Sequence, residues 1–71
     1  MTDDEFLQEV DTYDGRYFPQ MPPEKEQAQR LEKEGFLTSF VEEFPNGPPE
    51  RLYRLTPRGK QRIPRYRSSG T

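Results

Sequence analysis

Residues Leu31–Lys60, LEKEGFLTSFVEEFPNGPPERLYRLTPRGK, contain the clearest structural pattern in this 71-residue chain. Gly35 is a favoured residue just after the end of a helix, and the alternation that begins at Leu37 is typical of a strand. Asn46-Gly47, flanked by prolines, predicts a tight turn with positive φ angles. Leu52–Leu55 predicts the returning strand. The stretch therefore predicts the end of a helix followed by a β-hairpin.

Two helices are predicted ahead of the hairpin. The first begins at a cap on Thr2 or Asp3 and ends at the turn dipeptide Asp14-Gly15. The second begins at Pro22-Pro23, because proline is tolerated in the first turn of a helix, and it ends at Gly35. We therefore expect a helix, a connector, a second helix and then the hairpin.

The segments that join and follow these elements are short. Residues 16–21, RYFPQM, predict a brief edge strand or an extended connector, because Pro19 cannot donate to a strand ladder. Thr56-Pro57 predicts an N-cap followed by proline at the first position of a last helix, and Pro64 is expected to end that helix. We expect one folded domain over residues 1–64 and a flexible basic tail over residues 65–71.

The composition argues against several classes of protein. The chain has 28% hydrophobic and 34% charged residues, with no Cys and no His, so the commonest metal ligands and the commonest general base are missing. The acidic residues match neither a catalytic carboxylate pair nor a calcium-binding loop. No apolar run approaches the ~20 residues that span a bilayer. We expect a soluble, cytoplasmic protein with no enzymatic activity, no cofactor, no metal site and no membrane contact.

Charge is divided unevenly along the chain. Residues 1–48 carry four basic and twelve acidic residues, a net charge of −8, whereas residues 49–71 carry seven basic residues and one acidic residue, a net charge of +6. Such asymmetry indicates either a surface that faces a polyanion or two halves that attract each other.

The pattern around the hairpin resembles the winged-helix domain of the PadR group of transcriptional regulators. In that group a recognition helix ends in an LE-x-E-G phrase, a wing with a glycine-containing tip follows, and the phrase Y-x-L-T-x-x-G leads into the next helix. The matching segments here are Leu31–Leu37, Asn46–Pro48 and Tyr53–Gly59. The resemblance implies a small α+β winged-helix-like domain with a two-stranded β-hairpin wing. It also implies DNA binding in transcription regulation.

Basic and amide side chains are the candidate DNA contacts, because they neutralise phosphates and read base edges. Gln27, Gln29 and Arg30 on the second helix are the candidates for reading bases, and Arg51 near the wing tip is expected to reach a phosphate or the minor groove. The full candidate set is Lys25, Gln27, Gln29, Arg30, Lys33, Arg51, Arg58, Lys60 and Arg62.

A non-enzymatic protein-interaction adaptor is the alternative function. The second helix also carries four carboxylates, which would oppose binding to phosphates. Tyr17, Phe18 and Met21 either anchor a protein partner or pack against the first helix. A basic C-terminal third that shares one positive face with the second helix would favour DNA, whereas arginines spread around the molecule or neutralised by the helix acids would favour the adaptor. The partner is left open between duplex DNA, a larger protein and a second copy in a homodimer.

Overall fold

The computed structural model describes residues 1–67. The chain forms α1 (Asp3–Thr12), α2 (Pro22–Lys33), β1 (Leu37–Phe44), β2 (Gly47–Leu55), α3 (Pro57–Lys60) and α4 (Pro64–Arg67). The two strands pair antiparallel as a hairpin. The protein is therefore a small α+β domain with a two-stranded hairpin, as the sequence predicted.

A complete capping box opens α1. The Thr2 hydroxyl accepts a hydrogen bond from the Glu5 N–H at 3.2 Å, and the Glu5 carboxylate accepts one from the Thr2 N–H at 3.0 Å. Of the two predicted caps, Thr2 is the one used. Phe6, Leu7 and Val10 recur at helical spacing and are fully buried. The cap and the apolar face together fix where α1 begins and which side packs inward.

The end of α2 follows the sequence prediction closely. Gly35 has φ +92°, in the left-handed region that glycine enters without a steric penalty. The Phe36 N–H then donates to the Leu31 carbonyl oxygen at 2.9 Å, which closes the last turn. Because the chain reverses so sharply here, Leu37 begins β1 directly beside the helix.

The core lies between α1, α2 and one face of the hairpin. Its buried residues are Phe6, Leu7, Val10, Tyr17, Ala28, Leu31, Leu37, Tyr53 and Ile63. The Tyr17 ring meets the Phe6 ring edge to face, with centroids 5.4 Å apart. Full burial of such side chains contributes about 1.5–3 kcal/mol each, so this one cluster is the main source of stability in a small domain.

The hairpin turn differs from the prediction in two ways. The turn comprises only Pro45 and Asn46, so β2 begins at Gly47 rather than at Leu52. Neither Asn46 nor Gly47 has a positive φ angle. Pro45, whose ring holds φ near −65° at the first turn position, also excludes the type I′ and II′ turns, which need a positive value there. A shift of register between Glu42 and Phe44 accommodates the resulting mismatch.

The connector between α1 and α2 touches the free side of β2. The Tyr17 N–H donates to the Tyr53 carbonyl at 3.0 Å, and the Tyr53 N–H donates to the Tyr17 carbonyl at 2.8 Å. On its other side Tyr53 pairs with Ser39 of β1. Of the two predicted alternatives, residues 16–21 therefore form a connector with one isolated bridge and not a strand.

The C-terminal segment corrects one prediction. Thr56 caps α3 as expected, but α3 ends at Lys60, and Pro64 begins α4 instead of ending a helix, since proline fits a first helical position. The Tyr66 hydroxyl donates to Asp11 Oδ1 at 2.8 Å. Tyr66 is thus bonded to α1 and packs against the core cluster. The end of the predicted tail, residues 68–71, lies outside the described residues.

Candidate nucleic-acid interface

The predicted contact residues of α2 lie on two different flanks of the helix, because successive residues are about 100° apart around its axis. One flank faces α1, and the other faces the hairpin.

Gln27 and Arg30 occupy the flank that faces α1. The Gln27 amide donates to the Met1 carbonyl and to Asp3 Oδ1, both at 3.1 Å, and Arg30 Nη1 donates to Asp3 Oδ2 at 3.1 Å and to Glu34 at 3.2 Å. The hydrogen bond from Arg30, followed by that from Gln27, lowers the pKa of Asp3. Because both side chains hold the two helices together, we remove them from the candidate set.

Lys25 and Gln29 occupy the flank that faces the hairpin. With Arg51 of β2 they border a shallow concavity of about 240 Å³ whose floor includes Pro19 and Tyr53. Lys33 follows Gln29 by one helical turn. We define the α2–β2 surface as the four exposed side chains Lys25, Gln29, Lys33 and Arg51.

Among the described residues, the cations of the α2–β2 surface form no ion pair with a carboxylate. Within residues 1–67, no ion pair involves Lys25, Lys33 or Arg51. Arg51 Nη1 instead donates to the Ser39 hydroxyl at 3.0 Å, and that hydroxyl donates to the Glu32 carboxylate at 2.5 Å. The hydroxyl therefore holds the guanidinium in place without neutralising it by direct contact.

The carboxylates of α2 that were expected to oppose phosphates are mostly engaged inside the domain. Glu24 accepts a hydrogen bond from the Tyr17 hydroxyl at 3.2 Å, Glu32 accepts one from Ser39, and Glu34 pairs with Arg30. Glu26 is the exposed carboxylate on the outer side of the helix. The hydroxyl donors leave the charges of Glu24 and Glu32 in place, and of the three only the charge of Glu34 is offset by a cation.

The acids of α1 neutralise several arginines on a different side of the molecule. Asp3 pairs with Arg30, Asp4 pairs with Arg62 at 2.8 Å, and Asp11 pairs with Arg65 at 2.8 Å. Of the basic C-terminal third, Arg51 lies beside α2, as a DNA-binding protein would have it, whereas Arg62 and Arg65 are paired with acids, as an adaptor would have them.

The remaining C-terminal candidates, Arg58, Lys60 and Arg62, pack on aromatic rings. The guanidinium carbons of Arg58 and Arg62 lie 4.8 Å and 4.7 Å from the centre of the Phe36 ring, and Lys60 Nζ lies 5.8 Å from the centre of the Tyr66 ring. Such cation–π contacts are worth about 0.5–1 kcal/mol at exposed sites. These residues cover the small helices and do not border the concavity beside α2.

The connector supplies an apolar surface that the sequence only partly identified. Tyr17 is 6% exposed and packs against α1, which confirms the core alternative for this residue, whereas Phe18 and Met21 are 38% and 59% exposed. Tyr13, which the sequence analysis missed, joins them and is 50% exposed. We define the connector patch as Tyr13, Phe18 and Met21, which border one groove of about 320 Å³. Tyr13 lies at the C-cap of α1, about one turn from the connector, and this position could have indicated that it joins the patch.

The outer end of the hairpin is acidic. Glu42, Glu43 and Glu50 lie there, and exposed Phe44 lies beside them. Arg16 pairs with Glu42 from the connector side. This end therefore offers a phosphate backbone little attraction.

Comparisons of the chain with protein-family models, with curated proteins and with solved structures found no match. Among the helices of residues 1–67, none combines the length and the apolar character that crossing a bilayer requires.

Proposed function

We propose that this chain is a small, non-enzymatic DNA-binding protein of the winged-helix type that acts in transcription regulation. The observation that carries the proposal is the α2–β2 surface, where Lys25, Lys33 and Arg51 lie beside Gln29 and form no ion pair within residues 1–67. A helix followed directly by a two-stranded hairpin supports the proposal, together with the resemblance of residues 31–60 to PadR-group regulators. Its cytoplasmic location is part of the same proposal.

In this proposal α2 lies along the major groove. The helix has 12 residues and is about 18 Å long, and a major groove about 12 Å wide admits an α-helix. Lys25, Lys33 and Arg51 contact phosphates, and Gln29, which lies between the two lysines, presents an amide donor and an acceptor to a base edge. The acidic hairpin end points away from the backbone in this arrangement.

The test is a titration of the full chain with a labelled random-sequence duplex, followed by fluorescence anisotropy between about 50 and 200 mM salt. Each phosphate contact contributes about 0.9 to the slope of log K against log salt, so three cations predict a slope of about 2.7 for each bound copy. Arg51→Ala should lower the slope by about 0.9. No binding at the lowest salt would overturn the proposal.

Arg54→Ala is the matched control. Arg54 lies on the same strand and its loss changes the charge equally, but it lies over the Phe40 ring and borders a cleft with Lys60 and Tyr66, away from α2. The Arg54→Ala slope should equal that of the wild type. Equal slopes for Arg51→Ala and Arg54→Ala would remove Arg51 from the interface.

The acidic hairpin end favours a second candidate, a protein-interaction adaptor. Glu42, Glu43 and Glu50 surround exposed Phe44, and such an aromatic anchor with a charged rim suits a basic protein partner. The same titration separates the two candidates. If the chain does not bind the duplex at low salt, where electrostatic attraction is strongest, the adaptor is the candidate that remains.

A further inference from the structure

We infer that the cleft between the hairpin and the end of α1 binds a small apolar α-amino acid. The cleft has a volume of about 400 Å³ and is bordered by residues of α1, the connector, both strands and the two C-terminal helices. Ligand pockets in proteins usually have volumes of about 300–1,000 Å³, so a molecule of this size can enter. No residue of α2 borders the cleft, and the inference therefore does not depend on DNA binding.

Two exposed cations border the cleft, Arg54 and Lys60. Within residues 1–67, neither of them forms an ion pair with a carboxylate. The Arg54 guanidinium carbon lies 5.7 Å from the centre of the Phe40 ring, and Lys60 Nζ lies at a similar distance from a ring on the other side of the cleft. A ring face attracts a cation without neutralising it. Both side chains therefore keep donors for a carboxylate, which arginine binds with two parallel hydrogen bonds.

A carboxylate without an ion pair stands beside these cations. Asp14 is exposed and borders the cleft, and in the described part of the chain no cation pairs with it. Its neighbour Gly15 packs on the Arg54 side chain, because a Cβ atom added to Gly15 would lie 3.6 Å from Arg54 Cβ. Opposite charges thus lie close together without contact. A ligand that carries both charges can bridge them.

The other two charged residues of the cleft are engaged within the domain and are not assigned to the ligand. Arg16 pairs with Glu42. Asp11 pairs with Arg65 and accepts a hydrogen bond from the Tyr66 hydroxyl. One carboxylate and two cations are therefore left to bind a ligand.

An apolar wall completes the site. Half-buried Phe40 and Leu55 both border the cleft. An α-amino acid matches these features because one carbon atom carries its ammonium group, its carboxylate and its side chain. Asp14 binds the ammonium group, Arg54 and Lys60 bind the carboxylate, and an aliphatic side chain packs against the wall. A simple anion would leave Asp14 unpaired, and a simple cation would leave the two basic residues unpaired.

The experiment is an NMR titration of the isotope-labelled full chain with L-leucine, isocaproate and isoamylamine. The second and third compounds are leucine without its ammonium group and leucine without its carboxylate. L-Leucine should bind saturably and shift the backbone amides of Gly15 and Leu55 but not that of Gln29. Each analogue should bind about tenfold more weakly, because it loses one charge-assisted contact. No saturable binding of L-leucine at millimolar concentration, or equal affinity for L-leucine and either analogue, would refute the inference.

Two variants assign the contacts. Asp14 has φ +54°, which asparagine adopts as readily as aspartate, so Asp14→Asn keeps the backbone and removes only the charge. It should weaken L-leucine binding about tenfold without weakening isocaproate binding. Arg54→Gln should weaken L-leucine binding to the same extent without weakening isoamylamine binding. If either variant weakens both compounds equally, its effect is on the fold and the assigned contact is wrong.

Arg58→Gln is the matched control for Arg54→Gln. The change of charge is the same, and the Arg58 guanidinium likewise lies over an aromatic ring, 4.8 Å from the centre of the Phe36 ring. Arg58 does not border the cleft, so this variant should bind L-leucine like the wild type. Equal weakening by Arg58→Gln and Arg54→Gln would show that the net charge of the domain, and not the cleft, attracts the ligand.

Discussion

The backbone of Gly59 lies directly against the carbonyl of Phe36: a Cβ atom on Gly59 would stand 2.1 Å from that oxygen. The same carbonyl accepts a hydrogen bond from the Thr56 N–H at 3.2 Å. The start of α3 is thus joined to the chain just after α2. The close approach of the Phe36 carbonyl therefore explains why the last position of the segment Tyr53–Gly59 is a glycine.

Replacing Gly59 with alanine should destabilise the domain by about 2–3 kcal/mol, because the Phe36 backbone must move to admit the methyl group. Alanine gains about 1 kcal/mol over glycine in an open helix, and this gain is too small to compensate. Urea unfolding followed by circular dichroism measures the change. Gly47→Ala is the control, since nothing lies within 4 Å of its added Cβ, and it should stay within about 0.5 kcal/mol of the wild type. Similar losses for both variants would show that the contact with Phe36 is not the cause.

Thr56→Val should cost about 2 kcal/mol. The Thr56 hydroxyl donates to the Gly35 carbonyl at 2.6 Å and accepts from the Gly59 N–H at 3.1 Å. Valine has nearly the shape of threonine but cannot form hydrogen bonds, so both backbone groups lose this partner. Thermal unfolding measures the loss. Thr12→Val removes one exposed hydrogen bond to Glu9 and should cost less than about 0.5 kcal/mol. A Thr56→Val domain as stable as Thr12→Val would contradict the role of the hydroxyl.

The elements that the sequence predicted well depend on a few neighbouring residues. Thr2 forms its capping box with Glu5, which is only three positions later. Gly35 ends α2 because glycine adopts a positive φ angle without a steric penalty. Pro64 shows the limit of this reasoning. Proline ends one helix or begins the next with equal ease, and the choice here follows from the contact of Tyr66 with Asp11, 55 positions earlier in the chain.

The sequence likewise predicted only those features of the candidate site that depend on neighbouring residues. Helical spacing placed Lys25, Gln29 and Lys33 near one another, and they do lie along one side of α2. Spacing within one helix carries no information about Asp3, which engages both Gln27 and Arg30 across more than twenty residues. The side chains of α2 that bond to α1 can therefore be told from the exposed ones only once the packing of α1 on α2 is known.

Asp3→Asn should strengthen DNA binding and raise the salt slope by up to about 0.9, because it removes one of the two carboxylates that pair with Arg30 and leaves the guanidinium freer to contact a phosphate. The cost in stability should stay below about 1 kcal/mol, as is usual for an exposed ion pair. Asp4→Asn is the control, since it makes the same change of charge on the next residue but releases Arg62, which stacks on Phe36. Its slope should match that of the wild type. Equal slopes for the two variants would show that a released Arg30 does not reach DNA.

Tyr17 should make the domain sensitive to alkali. Burial, followed by the charge of Glu24, raises the pKa of Tyr17 from 10.0 to about 12. Below pH 10 the phenol is neutral in both the folded and unfolded states. Between pH 10 and about 12 the unfolded chain releases this proton and the folded domain keeps it, so the free energy of unfolding falls by about 1.4 kcal/mol per pH unit.

Tyr17→Phe isolates this effect in urea unfolding measured across the alkaline range. Near neutral pH the variant loses the hydrogen bond to Glu24 and should be about 1 kcal/mol less stable than the wild type. As the pH rises through the interval between the two pKa values, the wild type should lose stability faster, and the two curves should converge and cross. Burial also raises the pKa of Tyr53, but Tyr53 remains in both proteins, so the difference between the curves belongs to Tyr17. Curves that stay parallel to the highest pH would mean that the Tyr17 hydroxyl ionises as easily in the fold as in the unfolded chain.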